Sequence, residues 1–82
     1  MPEIARFYGI VIKLFFGDHP PPHFHAVYGE HVGLFCIETL EMIEGDLPNR
    51  AKKLVLEWAK QNQTALKQMW DTQEFHKLPV LD

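Results

Sequence analysis

The sequence "HFHAVYGEHVGLFC", residues 23–36, has the pattern of two strands joined by a tight turn. Two runs rich in β-branched and aromatic residues flank Gly29-Glu30, and a glycine at the first central position of a two-residue connection indicates a type II′ hairpin. This turn places Tyr28 opposite His31 and so sets the register. Counting outward gives the further cross-strand pairs Val27 with Val32, Ala26 with Gly33, His25 with Leu34, Phe24 with Phe35 and His23 with Cys36.

The register divides this hairpin into two faces, because cross-strand partners lie on the same side of a sheet. One predicted face contains Phe24, Ala26, Tyr28, His31, Gly33, Phe35 and Ile37. The other contains His23, His25, Val27, Val32, Leu34 and Cys36. The side chains of His23 and His25 therefore project from the same face, about 6 to 7 Å apart along the strand.

Two further strands are expected on either side of the hairpin. The segment "YGIVIKLFF", residues 8–16, predicts one strand by its alternation. Its predicted core side carries Tyr8, Ile10, Ile12, Leu14 and Phe16, and its other, partly apolar side carries Phe7, Val11, Lys13 and Phe15. A short strand is predicted around Met42–Glu44.

The second half of the chain predicts a helix, because its apolar residues recur at helical spacing. We expect one long helix from about Pro48 to Trp70, capped by Asp46, with a break near Asn62 as the alternative. The fold class is therefore α+β: a small antiparallel sheet of three to four strands packed against one long amphipathic helix. Residues 1–82 are expected to form a single domain.

The composition indicates an ordinary globular protein. The chain has 82 residues, of which 46% are hydrophobic and 23% charged. The single cysteine cannot form an internal disulfide bond, and the N-terminal residues carry charges where a signal peptide needs an apolar segment. No apolar run approaches the roughly 18 residues of a spanning helix. We therefore expect a cytoplasmic protein that is not embedded in a membrane.

The charge is unevenly distributed along the chain. Residues 1–46 hold two basic and seven acidic side chains, whereas residues 47–70 hold five basic side chains and one acidic. This basic region predicts a surface for an acidic partner protein, for nucleic acid or for a second copy of the chain, and a solvated helix face is the alternative. The candidate partner-binding residues are Arg50, Lys52, Lys53, Lys60 and Lys67.

The segment "GDHPPPHFHA", residues 17–26, is the candidate functional site, because it holds three histidines within seven residues. Two histidines at alternate strand positions can chelate a divalent transition metal such as Zn²⁺ or Ni²⁺, and a third ligand completes an open catalytic geometry. The candidate metal ligands are Asp18, His19, His23, His25 and Cys36.

Two other interpretations of the same segment need no metal. His23 and His25 are candidate catalytic residues, because one neutral and one protonated imidazole can cleave a phosphodiester, with Lys13 or Arg6 steadying the developing charge. The acidic strand half of the chain argues against binding a phosphate backbone. Nucleic acid is nevertheless kept as one of the alternative partners. A structural role is the alternative, in which the imidazoles bond backbone carbonyls that the prolines leave without ladder partners.

Several segments of the chain also form a recognisable set of motifs. They are "GDHPPPHFHA", "YGE" at residues 28–30, "IETLEMIEGDLPNRA" at residues 37–51, and Trp58. Together they resemble a bacterial family known as domain of unknown function 4160, over nearly the whole chain. The resemblance implies a short cytoplasmic protein, often encoded beside a member of a second uncharacterised family, domain of unknown function 2442. That gene arrangement implies toxin–antitoxin pairs or transcriptional regulators.

The expected function is accordingly a small cytoplasmic interaction or regulatory module of the toxin–antitoxin type. It would act with a small partner protein, and a homodimer is a further option because one side of the first predicted strand is unusually apolar. The alternative is an enzyme: a metal-assisted or histidine-dependent nuclease or other hydrolase.

Overall fold

The computed structural model describes residues 3–15 and 17–81. Its elements are β1 (Glu3–Phe7), β2 (Ile10–Lys13), β3 (His23–Tyr28), β4 (His31–Cys36), β5 (Met42–Gly45) and α1 (Asn49–Thr72). The strands form one antiparallel sheet in the order β1-β2-β3-β4-β5. The α+β class is therefore confirmed, but the sheet has five strands instead of three to four.

The strand predicted at residues 8–16 is confirmed only in its central part, as β2, and the additional strand β1 precedes it. The chain turns back at Tyr8-Gly9, where the φ angles are 48° and 80°, and β1 pairs with β2 across this turn. Two positive φ angles are typical of a type I′ hairpin turn, but tyrosine rarely adopts this backbone and so gives no turn signal. The turn leaves Tyr8 53% exposed and buries Phe7 in the core, the reverse of the expectation. Phe16 lies outside the described residues.

The register of the β3–β4 hairpin is confirmed at all six predicted pairs, from Tyr28 with His31 to His23 with Cys36. Gly29 has a φ of 58°, and Glu30 has no positive φ, which fits the predicted type II′ turn. The central part of the predicted core face is buried, whereas Tyr28 and His31 lie beside the turn and are partly exposed. Its fully or almost fully buried residues are Phe24, Ala26, Phe35 and Ile37.

Helix α1 runs without interruption for 24 residues and packs against this core face. Its central side chain is Trp58, which is fully buried with its ring 5.7 Å from Phe7 and 5.9 Å from Phe24. The indole Nε1 donates a hydrogen bond to the Pro79 carbonyl at 2.7 Å, which ties the C-terminal segment to the core. The predicted alternative of a break near Asn62 is wrong. Within the described residues, no helix combines the length and the apolarity needed to cross a membrane.

The predicted N-cap, Asp46, does not cap the helix. The residue preceding the helix is Pro48, and no side chain makes a capping hydrogen bond there. Asp46 is instead held beside β4, because its amide donates to the Val32 carbonyl at 3.0 Å and its carboxylate lies 3.4 Å from Nδ1 of His31.

The proline-rich loop is held between the end of α1 and the end of β4. The Gly17 amide donates to the side-chain oxygen of Gln73, just after α1, at 2.9 Å. At the other end of the loop, the Ile37 amide donates to the Pro22 carbonyl at 2.9 Å. These two hydrogen bonds bring residues 17–22 over the beginning of β3, where the histidines lie.

Candidate functional site

A cluster of three side chains lies where the proline-rich loop enters β3. It consists of Asp18 from the loop and of His23 and His25 from the strand, and we call it the histidine cluster. One ligand atom of each residue lies within 4.8 Å of the other two. The two imidazole rings are neighbours, with centroids 5.4 Å apart, because alternate residues of a strand share a face.

The ring of His23 is buried and both of its nitrogens face oxygen atoms. Nδ1 lies 2.7 Å from the Pro21 carbonyl, and Nε2 lies 3.0 Å from Oδ2 of Asp18. A carbonyl oxygen only accepts hydrogen bonds, so Nδ1 donates to Pro21. Nε2 is therefore the nitrogen of His23 that faces the carboxylate of Asp18.

The ring of His25 is half-buried, and one of its nitrogens has no partner. Nδ1 is inaccessible to solvent and makes no hydrogen bond within the described part of the chain. Burial is the largest cause of a lowered pKa of His25, and the nearby charge of His23 lowers it further. His25 therefore favours the neutral imidazole, which keeps a lone pair free. A buried polar atom without a partner calls for a bound water molecule or ion.

Three residues outside β3 lie beside the cluster: Lys13 at the end of β2, Phe15 just after it, and Trp70 on α1. The ring of Phe15 meets His25 edge-on at 4.5 Å, and the ring of Trp70, near the end of α1, lies 5.2 Å from His23. Lys13 is the cross-strand partner of His25. The sequence pattern did not indicate Phe15 or Trp70 as site residues. For Trp70, no local pattern shows that the far end of the helix reaches β3.

The cluster has the donor set of a metal site. In tetrahedral sites with bonds of about 2.0–2.1 Å, the ligand atoms lie roughly 3.4 Å apart, so three atoms already within 4.8 Å need only a small contraction. Two imidazoles and one carboxylate suit Zn²⁺ and other divalent transition metals. The hydrogen bond from Nδ1 of His23 to Pro21 is the arrangement that commonly orients metal-binding histidines.

The family comparison covers this whole site. The sequence profile of the family described as Domain of unknown function (DUF4160) matches residues 9–71, which include the histidine cluster and four of the five strands. The chain belongs to the DUF4160 family. The resemblance noted from the motifs is thereby confirmed, and the family's description names no activity. No curated protein and no solved structure is detectably similar to the chain.

Two other predicted ligands of this DUF4160 protein lie outside the histidine cluster. His19 is exposed, and its backbone amide donates to Oδ1 of Asp18 at 2.9 Å. Cys36 is opposite His23 as predicted and is buried, but hydrogen bonding with the side chain of Thr39 is the main cause of a lowered pKa of its thiol. The structure thus brings together three of the five predicted ligands, including both predicted catalytic histidines.

The predicted partner-binding residues of the DUF4160 protein are all on α1. Lys67 forms an ion pair with Asp71 at 2.8 Å. The remaining four basic side chains make no ion pair with any residue in the described ranges 3–15 and 17–81. These four are exposed or half-exposed residues: Arg50, Lys52, Lys53 and Lys60.

Proposed function

We propose that this protein binds a divalent transition-metal ion through Asp18, His23 and His25 and that the bound metal supports hydrolysis. The observation that carries the proposal is the buried Nδ1 of His25, which has no hydrogen-bond partner among the described residues and lies in one cluster with the 3.0 Å contact between His23 and Asp18. The proposal assigns Nδ1 of His25, Nε2 of His23 and a carboxylate oxygen of Asp18 as the ligands.

A metal ion at this position would provide a partner for the unpaired nitrogen of His25 and would bridge the contact between His23 and Asp18. Because ligating imidazoles are neutral and ligating carboxylates are ionised, protons compete with the metal for these ligands. Metal affinity is therefore expected to rise with pH.

Hydrolysis follows from the number of ligands. Three protein ligands would leave one position of a tetrahedral site for water, and Zn²⁺ would lower the pKa of such a water molecule to about 7. The half-buried side chain of His25 is the side from which a substrate would approach the cluster. This supports the enzyme alternative of the sequence analysis, a metal-assisted hydrolase.

Calorimetric titration of the metal-free protein with Zn²⁺ or Ni²⁺ tests the metal site. We expect about one ion per chain, a higher melting temperature, and proton release that depends on the buffer. The variants His25→Ala and Asp18→Asn should lose at least about tenfold in affinity, since each removes a ligand. His31→Ala and His76→Ala are matched controls, because both histidines lie outside the cluster.

Two outcomes would contradict the metal proposal. One is wild-type protein that binds no better than the double variant His23→Ala, His25→Ala. The other is equal loss of affinity in the control His76→Ala. Hydrolysis is tested separately with bis(p-nitrophenyl) phosphate: the metal-loaded protein should accelerate its cleavage, and His25→Ala should abolish the acceleration.

A second candidate function is the interaction module of the toxin–antitoxin type, favoured by the four basic side chains of α1 that form no ion pair within the described part of the chain. Such a surface suits a small acidic partner protein. The combined variant Arg50→Gln, Lys53→Gln, Lys60→Gln should weaken binding to a protein of the domain of unknown function 2442 family, the partner that the resemblance implies, whereas Lys77→Gln should not. Unchanged binding in the triple variant would exclude this surface.

A further inference from the structure

We infer that the histidine cluster, once it holds a metal ion, binds a phosphate group whose second contact is the ammonium group of Lys13. This inference rests on the proposed metal site and adds to it the chemical class of the ligand. Three features support phosphate binding. Lys13 lies beside the histidine cluster, Lys13 forms no ion pair among the described residues, and the site with its metal ion bound carries a net positive charge.

Lys13 lies beside the cluster because of the β2–β3 register. It is the direct cross-strand partner of His25, and such partners have their Cβ atoms about 4.5–5.5 Å apart on one face of the sheet. The two side chains are close enough for the charge of Lys13 to contribute to the lowered pKa of His25. Lys13 is also half-buried, so its charge is less well screened than that of a fully exposed lysine.

No acidic side chain in the described part of the protein forms an ion pair with Lys13. Its partner on β1 is Glu3, whose carboxylate instead contacts Arg6 at 2.8 Å and Lys77 at 3.5 Å. On the other side of His25, the next cross-strand residue is the apolar Leu34. The ammonium group is therefore available to an external anion.

The loaded site carries an excess of positive charge. A divalent ion, one carboxylate, two neutral imidazoles and one ammonium group sum to a charge of +2. A phosphate dianion neutralises this charge, and it has enough oxygen atoms to contact the metal and the ammonium group at the same time. Lysine commonly binds phosphate groups as a point charge. The rings of Phe15 and Trp70 place apolar surface beside the histidines, where charges interact more strongly than in bulk water.

Titration of the protein loaded one-to-one with Zn²⁺ against inorganic phosphate tests the inference. We expect saturable binding that is absent without the metal and clearly tighter than the binding of acetate, the monoanionic control. Lys13→Gln should lower phosphate affinity about tenfold without changing the zinc stoichiometry, because it removes only a charged hydrogen bond. Lys13→Arg, which keeps the charge, should retain binding, and Lys53→Gln on α1 should have no effect.

The outcomes separate the two proposals. If the protein binds no Zn²⁺, both fail. If it binds Zn²⁺ but not phosphate, or if Lys13→Gln and Lys53→Gln behave alike, the metal site stands and the phosphate inference is overturned. Circular dichroism of the Lys13 variants confirms that the fold is retained in each comparison.

Discussion

The two faces of strand β3 differ in what satisfies their side chains. Phe24 and Ala26 are fully buried on the core face and need only apolar contacts. On the opposite face, His23 contacts two oxygen atoms, and Nδ1 of His25 has no hydrogen-bond partner among the described residues. One side of β3 thus stabilises the fold by apolar packing, whereas the other side carries a polar atom that residues 3–15 and 17–81 leave unpaired.

The largest expected effect is on the core face. Phe24→Ala should lower the free energy of unfolding by about 3–5 kcal/mol, because it removes a fully buried ring that stacks on Phe35 at 5.4 Å and contacts Trp58. Urea denaturation followed by tryptophan fluorescence measures the loss. Val27→Ala, on the opposite face of the same strand and only half-buried, should cost about 1 kcal/mol. Equal losses would show that both faces are packed equally.

A smaller effect is expected from pH, through His25. Burial lowers the pKa of His25 in the folded protein, so the unfolded chain binds the proton more readily. The free energy of unfolding should therefore fall as the pH drops below the ordinary histidine pKa of about 6.5, and it should level off below the folded pKa.

The variant His25→Gln tests this prediction, because it removes the titrating group. Chemical denaturation in the presence of a chelator, between about pH 7.5 and about pH 5, should show a smaller loss of stability in this variant than in the wild type. His76→Gln, at an exposed position, serves as the control. A wild type and a His25→Gln variant with the same pH dependence would contradict the assignment.

The smallest effect is expected at His19, which is on the same loop as Asp18 but outside the cluster. His19→Ala should change the free energy of unfolding by no more than about 0.5 kcal/mol, because the side chain is exposed and the bond to Asp18 comes from the backbone amide. Metal affinity should be unchanged in the calorimetric titration. A tenfold loss of affinity would instead make His19 a fourth ligand.

The two hairpins show where prediction from the sequence works. Gly29 marks the β3–β4 turn, since glycine adopts a positive φ without strain, and the register and both faces follow from it. The β1–β2 turn is formed by Tyr8 and Gly9, and a tyrosine at positive φ has no local signature. The missed turn accounts both for the fifth strand and for the exchanged positions of Phe7 and Tyr8.

The candidate site likewise has one part that the sequence predicts and one part that it does not. Residues two apart on one strand must lie on one side of it, so the pairing of His23 with His25 followed from spacing alone. That Asp18 completes the cluster, while His19 from the same loop lies outside it, depends on the path of the proline-rich loop. Its path is set by contacts with Gln73 and Ile37, which are far away in the chain.

Local sequence was therefore enough for the central hairpin, its register, the long helix and the shared face of the two histidines, because turn chemistry and periodicity act over a few residues. Long-range packing decided the membership of the histidine cluster and the approach of Trp70 to His23. These features depend on which distant segments come into contact when the core forms, and the spacing of neighbouring residues does not indicate such contacts.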